Sequence, residues 1–196
     1  MKKLLSYIRS VLGGRYFVHK KVLELVELKN GDSLLDIGCG RGEVLELVHT
    51  KFGNEVSLTG VDVSPDAIWL AKENEFRTDK DSNIKFKVAS AEDLPFPNNS
   101  FDFAISVIMA HHLDNAQKLK MVGEAKRVLK PGGKLLISDI GRPRGIFGQL
   151  ASWISRNHFY TKNNMEVIES ALKENNMEVV KFERQLGFLE HFLTKK

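Results

Sequence analysis

The sequence predicts an α/β fold in which a doubly wound, mostly parallel sheet is flanked by helices. Short apolar runs rich in β-forming residues alternate with helical patterns along most of the chain, and three glycines directly follow the first of these runs. Such alternation, joined by right-handed crossovers, is typical of parallel sheets covered by helices on both faces. At 196 residues, we expect one domain spanning residues 1–196.

Each element follows from a local pattern. Apolar runs predict five strands, over residues 33–37, 56–61, 84–89, 101–108 and 134–140. Helical spacing predicts helices over residues 17–28, 43–52, 65–78, 114–130 and 163–175, with Pro131-Gly132-Gly133 as the stop of the fourth. The last twenty residues, MEVVKFERQLGFLEHFLTKK, predict two antiparallel strands around Gly187.

Composition limits the possible partners and compartments. Cys39 is the single cysteine, so an intrachain disulfide and a cysteine-cluster metal site are excluded, no metal is expected, and a cytoplasmic location is predicted. No apolar run approaches the roughly 18 residues of a membrane span. The two ends are basic and the middle is acidic, a pattern that favours either an anionic partner or simply solvated helix faces.

Gly38, Gly40 and Gly42 predict a ligand site at the end of the first strand. Bare backbone there lets a ligand approach the N–H groups that begin the next helix. Asp62 ends the second strand, twenty residues after Gly42, where a carboxylate can accept hydrogen bonds from both hydroxyls of a ribose. We therefore expect a nucleoside ligand. Glu43 stands where the dinucleotide fingerprint needs its third glycine, which disfavours a nicotinamide cofactor.

Five blocks in order give the chain a family resemblance: LLDIGCGRG (34–42), TGVDVS (59–64), ASAEDLPFPNNSFD (89–102), HHL (111–113) and LKPGGKLLISD (129–139). With these blocks the chain resembles the class I S-adenosylmethionine-dependent methyltransferases, in the small-molecule branch that includes enzymes of ubiquinone and menaquinone biosynthesis. The resemblance covers residues 20–140 and implies a seven-stranded Rossmann-like methyltransferase fold, methyl transfer from S-adenosylmethionine, and S-adenosylhomocysteine as product.

The resemblance also implies a set of cofactor-binding residues. Asp36 and the loop with Gly38, Cys39, Gly40 and Gly42 would surround the methionine portion, Asp62 would bind the ribose, and Ser90 and Ala91 would flank the adenine. Val63, Glu92 and Ser106 complete the implied set. Ser90 stands where many relatives carry an acidic residue, and its hydroxyl is a weaker acceptor than a carboxylate.

His111 and His112 are the candidate catalytic residues, because they follow the fourth strand at the edge of the expected site. Either could remove a proton from the methyl acceptor. The alternative is that they cap or pack the start of a helix. Asp102 is expected to hold a strand or loop, and Asp139 to face either the site or a basic neighbour.

Substrate identity is expected in two basic segments, an N-terminal helical extension (1–20) and an insertion after the fifth strand (140–162), which would form the roof of the site. Ile146, Phe147, Leu150, Trp153 and Ile154 make one apolar stripe at helical spacing. This stripe has three interpretations: a helix packed on the domain, a lid over an apolar acceptor, or a helix resting on a membrane surface.

The sequence thus predicts methyl transfer to a small molecule, apolar or not, by in-line displacement. Three alternatives stay open: a non-catalytic S-adenosylmethionine-binding regulatory or scaffold module, an RNA or protein methyltransferase, and a nicotinamide-dependent oxidoreductase. Nucleic acid is the weaker partner, because the chain has no dense basic patch with interleaved aromatic residues. The acceptor atom and the oligomeric state do not follow from the sequence.

Overall fold

The computed structural model describes residues 15–78, 82, 84–146 and 164–196, and these form a sheet between two layers of helices. The elements are α1 (Arg15–Leu25), β1 (Ser33–Ile37), α2 (Glu43–Phe52), a 3-10 turn (Gly53–Glu55), β2 (Ser57–Asp62), α3 (Pro65–Thr78), β3 (Lys85–Val88), β4 (Phe101–Val107), a 3-10 turn (Ala110–His112), α4 (Asn115–Val128), β5 (Leu129–Ile140), α5 (Asn164–Glu174), β6 (Glu178–Gln185) and β7 (Leu189–Lys195). None of the described helices is long and apolar enough to cross a membrane.

The seven strands lie in the order β3-β2-β1-β4-β5-β7-β6. Strands β1 to β5 are parallel, and β7 runs antiparallel to both β5 and β6. The predicted doubly wound sheet with a C-terminal antiparallel pair is therefore confirmed. The winding direction reverses at β1, which lies between β2 and β4, and this reversal opens a crevice at the carboxyl ends of these strands.

The strand pleat divides the core between the two faces of the sheet. Leu34 belongs to the apolar cluster that α1, α2 and α3 cover, whereas its neighbour Leu35 belongs to the cluster that α4 and α5 cover. Both are fully buried, and burial of each leucine contributes about 1.5–3 kcal/mol. Because both faces are covered, β1 is apolar at every position except Ser33 and Asp36.

The fourth helix ends earlier than the sequence predicts. It stops at Val128, and Leu129 already pairs with Phe101 as the first residue of β5. Pro131 disfavours a helical conformation at the residue before it, so the helix ends before the proline itself. The predicted stop at Pro131-Gly132-Gly133 is an irregularity inside β5, where Gly132 has a φ of 79°.

Asp102 holds three strands together at the end of the sheet opposite the crevice. Its Oδ2 accepts hydrogen bonds from the backbone N–H and the hydroxyl of Ser33, at 2.9 and 2.8 Å, and from Lys130 Nζ at 2.7 Å. Burial alone would raise the pKa of this carboxyl, but the bonds from Lys130 and Ser33 outweigh it and hold the pKa below its usual value. The expected structural role of Asp102 agrees with these contacts.

The predicted extension and roof lie mostly outside the described part of the chain. Of the extension, residues 15–20 form the start of α1, and of the roof, only residues 140–146 are described. The apolar stripe after Ile146 therefore lies outside the described residues, and its three interpretations stay open.

Replacing Asp102 by alanine is expected to lower the free energy of unfolding by about 1–3 kcal/mol at pH 7, because a partly buried set of donors loses its acceptor. The folded pKa is lowered, so this contribution is present above the unfolded pKa of about 3.9 and is lost as the pH falls further. Urea unfolding of both proteins from pH 7 to pH 3 measures the difference. Glu55→Ala, which removes an exposed carboxylate, is the control; an equal effect of both changes at pH 7 would contradict this role.

Candidate functional site

A cavity of about 540 Å³ lies in the crevice at the carboxyl ends of β1, β2 and β4. It is lined by the glycine-rich turn, by carboxylates at strand ends, by residues that follow β4 and by residues of α1, α2 and α3: His19, Asp36, Gly38, Cys39, Gly40, Arg41, Glu43, Val44, Asp62, Ala67, Val107, Ile108, Met109 and His112. Its size is that of a small-molecule site. It combines an acidic side with an apolar side.

The three glycines of the turn serve two different purposes. All three have positive φ, but a Cβ on Gly38 would lie 2.2 Å from Met109 Cγ and one on Gly42 would lie 2.9 Å from Phe86 Cζ. These two glycines allow close packing behind the turn. A Cβ on Gly40 would meet nothing within 4 Å, so Gly40 is the position at which bare backbone faces open space in the cavity.

Asp62 ties the turn to the end of β2. Its Oδ2 accepts a hydrogen bond from the Gly40 backbone N–H and its Oδ1 accepts one from the Ser64 N–H, both at 2.9 Å. Each carboxylate oxygen has a further lone pair for a hydroxyl donor in the cavity. The same side chain can therefore shape the turn and bind a ligand.

Asp36 is a buried carboxyl group whose Oδ1 has no hydrogen-bond partner. The pleat turns it toward the face that α1 to α3 cover, because Leu35 and Ile37 face the opposite cluster. Burial, with the nearby charge of Asp62, raises its pKa to about 8. Leaving such a group unpaired costs about 1–3 kcal/mol. A cationic ligand in the cavity would supply the missing donor.

Cys39 lies on the inner side of the turn. Its backbone N–H donates to the Val61 carbonyl at 2.9 Å, and a Cβ on Gly60 would lie 2.8 Å from its sulfur atom. Burial is the main cause that raises the pKa of the Cys39 thiol, so this side chain stays neutral and serves in packing.

The predicted residues around the adenine lie beside the cavity and do not line it. Val63 is 73% exposed next to Asp62. Ser90 forms a short bridge with Asp93, and its hydroxyl accepts a hydrogen bond from the Glu92 N–H at 3.2 Å. Ala91 packs at the edge of the α4–α5 cluster. Val63 follows the end of β2, and Ser90 and Ala91 follow the end of β3.

Two polar side chains of the implied set are engaged away from the cavity. Glu92 accepts hydrogen bonds from Gln117 Nε2 at 2.8 Å and from Lys120 Nζ at 3.4 Å, both on α4. Ser106 is 1% exposed, and its hydroxyl lies 4.0 Å from Met121 Sδ. Because Ser106 is one position before Val107 on β4, its side chain faces the other side of the sheet.

The two histidines occupy different places. His112 lines the cavity, whereas His111 lies behind it with its Nδ1 2.8 Å from Asp139 Oδ1 and its backbone N–H donating to Asp139 Oδ2 at 3.1 Å. The two rings are in contact, with centroids 4.0 Å apart. Asp139, at the end of β5, therefore faces His111. It fixes the ring of His111, against which the ring of His112 packs.

Lys118 is a residue of this region that the sequence reasoning missed. It is 2% exposed, its Nζ donates to the Leu113 carbonyl at 2.5 Å, and it interacts electrostatically with Asp139. Burial is the main cause that lowers its pKa. The spacing with Met121, Val122 and Ala125 could have found it, because it puts this lysine on the buried face of α4.

Ile108 joins β4 to the histidines in a strained conformation. Its φ is 51°, a left-handed value that costs a β-branched residue about 1–2 kcal/mol. A hydrogen bond from its N–H to the Ser138 carbonyl, at 2.8 Å, holds it there. This bend sets Met109 against Gly38 and lets residues 107 to 109 form the apolar side of the cavity.

Known proteins are similar to this chain in sequence. Residues 34–133 match a family model described as a methyltransferase domain. A 27-O-demethylrifamycin SV methyltransferase of Amycolatopsis mediterranei is 35% identical over 59% of this chain and 41% of its own length. Phosphoethanolamine N-methyltransferase 2 of Caenorhabditis elegans is 30% identical over 82% of this chain and 36% of its own length. The chain thus spans about two-fifths of the length of these two relatives.

The fold also matches a solved structure. A SAM-dependent methyltransferase from Aquifex aeolicus superposes with a TM-score of 0.75, at 21% identity, over 97% of both chains. At this identity the likeness concerns the fold alone. Together with the family match, it confirms the fold and the methyltransferase resemblance that the five sequence blocks predict.

Gly40→Ala tests whether the bare backbone faces a ligand. Gly31→Ala is its matched control, because both glycines have positive φ and open space around the added Cβ, but Gly31 lies in the turn before β1. Both changes are expected to cost about 1–2 kcal/mol of stability, because alanine is strained at positive φ. Only Gly40→Ala should weaken binding of S-adenosylhomocysteine, by about tenfold or more. Equal affinities in calorimetric titration would contradict the assignment.

Asp36→Asn is expected to change the pH dependence of stability. The folded carboxyl stays protonated up to about pH 8, whereas the unfolded one ionises near pH 3.9, so the ligand-free protein should lose stability as the pH rises between about 4 and 8. Asparagine mimics the neutral form. Its stabilising effect relative to the native protein should therefore grow by about 4 kcal/mol between pH 5 and pH 9.

Urea unfolding at both pH values measures this difference. Asp66→Asn, on the exposed start of α3, is the control and should show no such change between pH 5 and pH 9. A stability difference for Asp36→Asn that is the same at both pH values would show that the carboxyl is not buried as described.

Proposed function

We propose that this chain, which belongs to the methyltransferase-domain family, transfers a methyl group from S-adenosylmethionine to a small-molecule acceptor. The observation that carries the proposal is the pairing of an unsatisfied buried carboxyl, Asp36, with the bare backbone at Gly40 on one wall of the same cavity. The unpaired Asp36 carboxyl can accept a hydrogen bond from a cationic donor, and the bare Gly40 backbone leaves room for a ligand to approach closely. S-adenosylmethionine carries an ammonium and a sulfonium group, so it fits both.

Each wall residue has a defined task in this proposal. Asp36 would accept a hydrogen bond from the ammonium group of the methionine portion, and Asp62 would accept from the ribose hydroxyls through the lone pairs that Gly40 and Ser64 leave free. The exposed side chain of Val63 would cover the nucleoside. When bound, the sulfonium supplies a methyl group for in-line displacement, and the protein contributes alignment and exclusion of water.

The acidic lining argues against the oxidoreductase alternative. Glu43 begins α2 and lines the cavity next to Asp36 and Asp62. A pyrophosphate bound at the N-terminus of α2 would meet the carboxylates of Glu43 and Asp62, and the repulsion between like charges would oppose a dinucleotide. The same carboxylates attract a cationic cofactor.

His112 is the residue that we assign to the acceptor. It lines the cavity next to the apolar wall of Val107, Ile108 and Met109, so an acceptor on that wall would lie beside its ring. Within hydrogen-bond reach, an imidazole there can remove a proton from a hydroxyl or amine. The pair of His111 and Asp139 supports the His112 ring and acts as a positioning pair.

A small acceptor is favoured over nucleic acid or protein. The acceptor wall is an apolar part of a 540 Å³ cavity, which suits a compact molecule. The two relatives are named for demethylrifamycin and for phosphoethanolamine, so the acceptor differs between relatives. The single-domain organisation over residues 1–196, the cytoplasmic location and a contact with membrane surfaces stay predictions.

Calorimetric titration with S-adenosylhomocysteine and, separately, with NAD tests the cofactor. We expect binding of the first alone. Asp62→Ala should weaken it about tenfold to a hundredfold through the loss of ribose hydrogen bonds, whereas Asp66→Ala, which removes an exposed carboxylate nearby, should leave the affinity unchanged. Preference for NAD, or full affinity in a folded Asp62→Ala protein, would overturn the assignment.

Methyl transfer to a panel of small hydroxyl and amine compounds separates an enzyme from a binding module. Formation of S-adenosylhomocysteine that depends on the acceptor is expected from the native protein. His112→Gln should reduce this turnover and leave S-adenosylhomocysteine affinity within about twofold. Binding of the cofactor without turnover on any compound of the panel or of a cell extract would favour the regulatory or scaffold alternative.

A further inference from the structure

A second cavity, of about 470 Å³, lies between α5 and the β6–β7 pair. It is on the sheet face that carries α4 and α5, since Met165 and Phe192 belong to that cluster. It shares no lining residue with the first cavity, and β5 lies between β4 of the first cavity and β7 of the second. The methyl-transfer site therefore does not account for it.

The floor of this cavity is apolar. Phe182 on β6 and Phe192 on β7 are directly paired across the strands, with ring centroids 4.8 Å apart. Phe182 is 44% exposed and Val179 is 39% exposed. Met165 closes the floor on the α5 side. A flat or short apolar group placed here would cover surface that is otherwise open to water.

Asn164 gives the cavity an unsatisfied acceptor. This side chain is 4% exposed and lines the cavity. Its Nδ2 donates to the Ile140 carbonyl at 3.0 Å, which fixes the orientation of the amide, while its Oδ1 has no hydrogen-bond partner. Buried polar atoms in folded proteins are nearly always paired. A hydroxyl or amide N–H on a ligand would complete this amide.

The rim of the cavity carries four cationic side chains but only three carboxylates among the lining residues. The three ion pairs join Arg142 to Glu166 at 3.6 Å, Lys173 to Glu169 at 2.9 Å and Arg184 to Glu190 at 2.7 Å. The fourth cation, Arg144, is exposed and makes no ion pair with a carboxylate of the described chain. Its backbone N–H donates to the Gly187 carbonyl at 2.7 Å, which holds its main chain at the rim.

We infer that this cavity is a second binding site, for a small amphipathic carboxylate with an apolar ring and a hydroxyl donor. The ring would lie on Phe182 and Phe192, the hydroxyl would donate to Asn164 Oδ1, and the carboxylate would pair with Arg144. Each part of the ligand thus contacts a different part of the cavity. The inference is independent of methyl transfer, so its failure would leave the proposed function intact.

A second copy of the chain is a less suitable occupant. β6 is an edge strand, but its pairing with β7 has a register shift between Val179 and Lys181, and Lys181 and Glu183 place charges along it. Bulges and charges on edge strands oppose pairing between sheet edges. The surface favours a small ligand over sheet extension.

4-Hydroxyphenylacetate is the probe, because it carries all three features. Methyl and amide NMR spectra of the full chain should show saturable shifts of the Met165 methyl group and the Asn164 side-chain amide, with a Kd of about 1 mM or tighter. Phenylacetate, which lacks the hydroxyl, and 4-hydroxyphenethyl alcohol, which lacks the charge, should each bind about tenfold more weakly. Added S-adenosylhomocysteine should leave the probe affinity unchanged.

Arg144→Ala should weaken the probe about tenfold, and Arg144→Lys should restore most of the loss. Lys85→Ala, which removes an exposed cation from β3 at the opposite edge of the sheet, is the matched control and should bind normally. Shifts that do not saturate, equal affinity for the three compounds, or displacement by S-adenosylhomocysteine would overturn the second site. A concentration-dependent dimer that blocks the probe would replace it with an interface between copies.

Discussion

The burial of Asp36 on the central strand is the constraint around which the site is arranged. Its carboxyl lies under α1 to α3 with an unpartnered oxygen, and the folded protein tolerates it because two apolar layers stabilise the sheet on which it lies. Natural proteins retain destabilising groups of this kind where function needs them. The carboxyl is mostly protonated near pH 7 in the ligand-free protein, and a cation that enters the cavity would stabilise its ionised form as a hydrogen-bond acceptor.

The second carboxylate, Asp62, serves both the shape and the charge of the cavity. Burial and, to a smaller extent, the charge of Asp62 raise the pKa of Asp36. Asp62 also accepts the Gly40 N–H, so the turn and the acidic wall form one unit. The strained Ile108 sets Met109 against Gly38 from the other side. Local strain and an unpaired carboxyl meet at the carboxyl ends of the central strands, while Asp102 joins three strands at the opposite end of the sheet.

The sequence predicts the strands well because each is an apolar run bounded by turn residues; β1 has the predicted ends, and β2 and β4 differ by one residue. Three features depend on contacts that no local pattern contains. β7, and not β6, pairs with β5, and the residues of β7 are buried whereas most of those of β6 are exposed. Asp139 reaches His111 across 28 positions. The side chain of Ser106 faces α4. Its motif position near a strand end does not tell which face of the sheet it takes.

Asp36 is expected to lose a proton when a cationic group of the cofactor binds beside it. Calorimetric titration with S-adenosylhomocysteine near pH 7, in buffers of different ionisation enthalpy, measures the protons exchanged. With a pKa of about 8 in the ligand-free protein, Asp36 is mostly protonated there, and pairing with the ammonium group should release up to about one proton per molecule bound. The release should disappear in Asp36→Asn. Binding without proton release in the native protein would contradict the account.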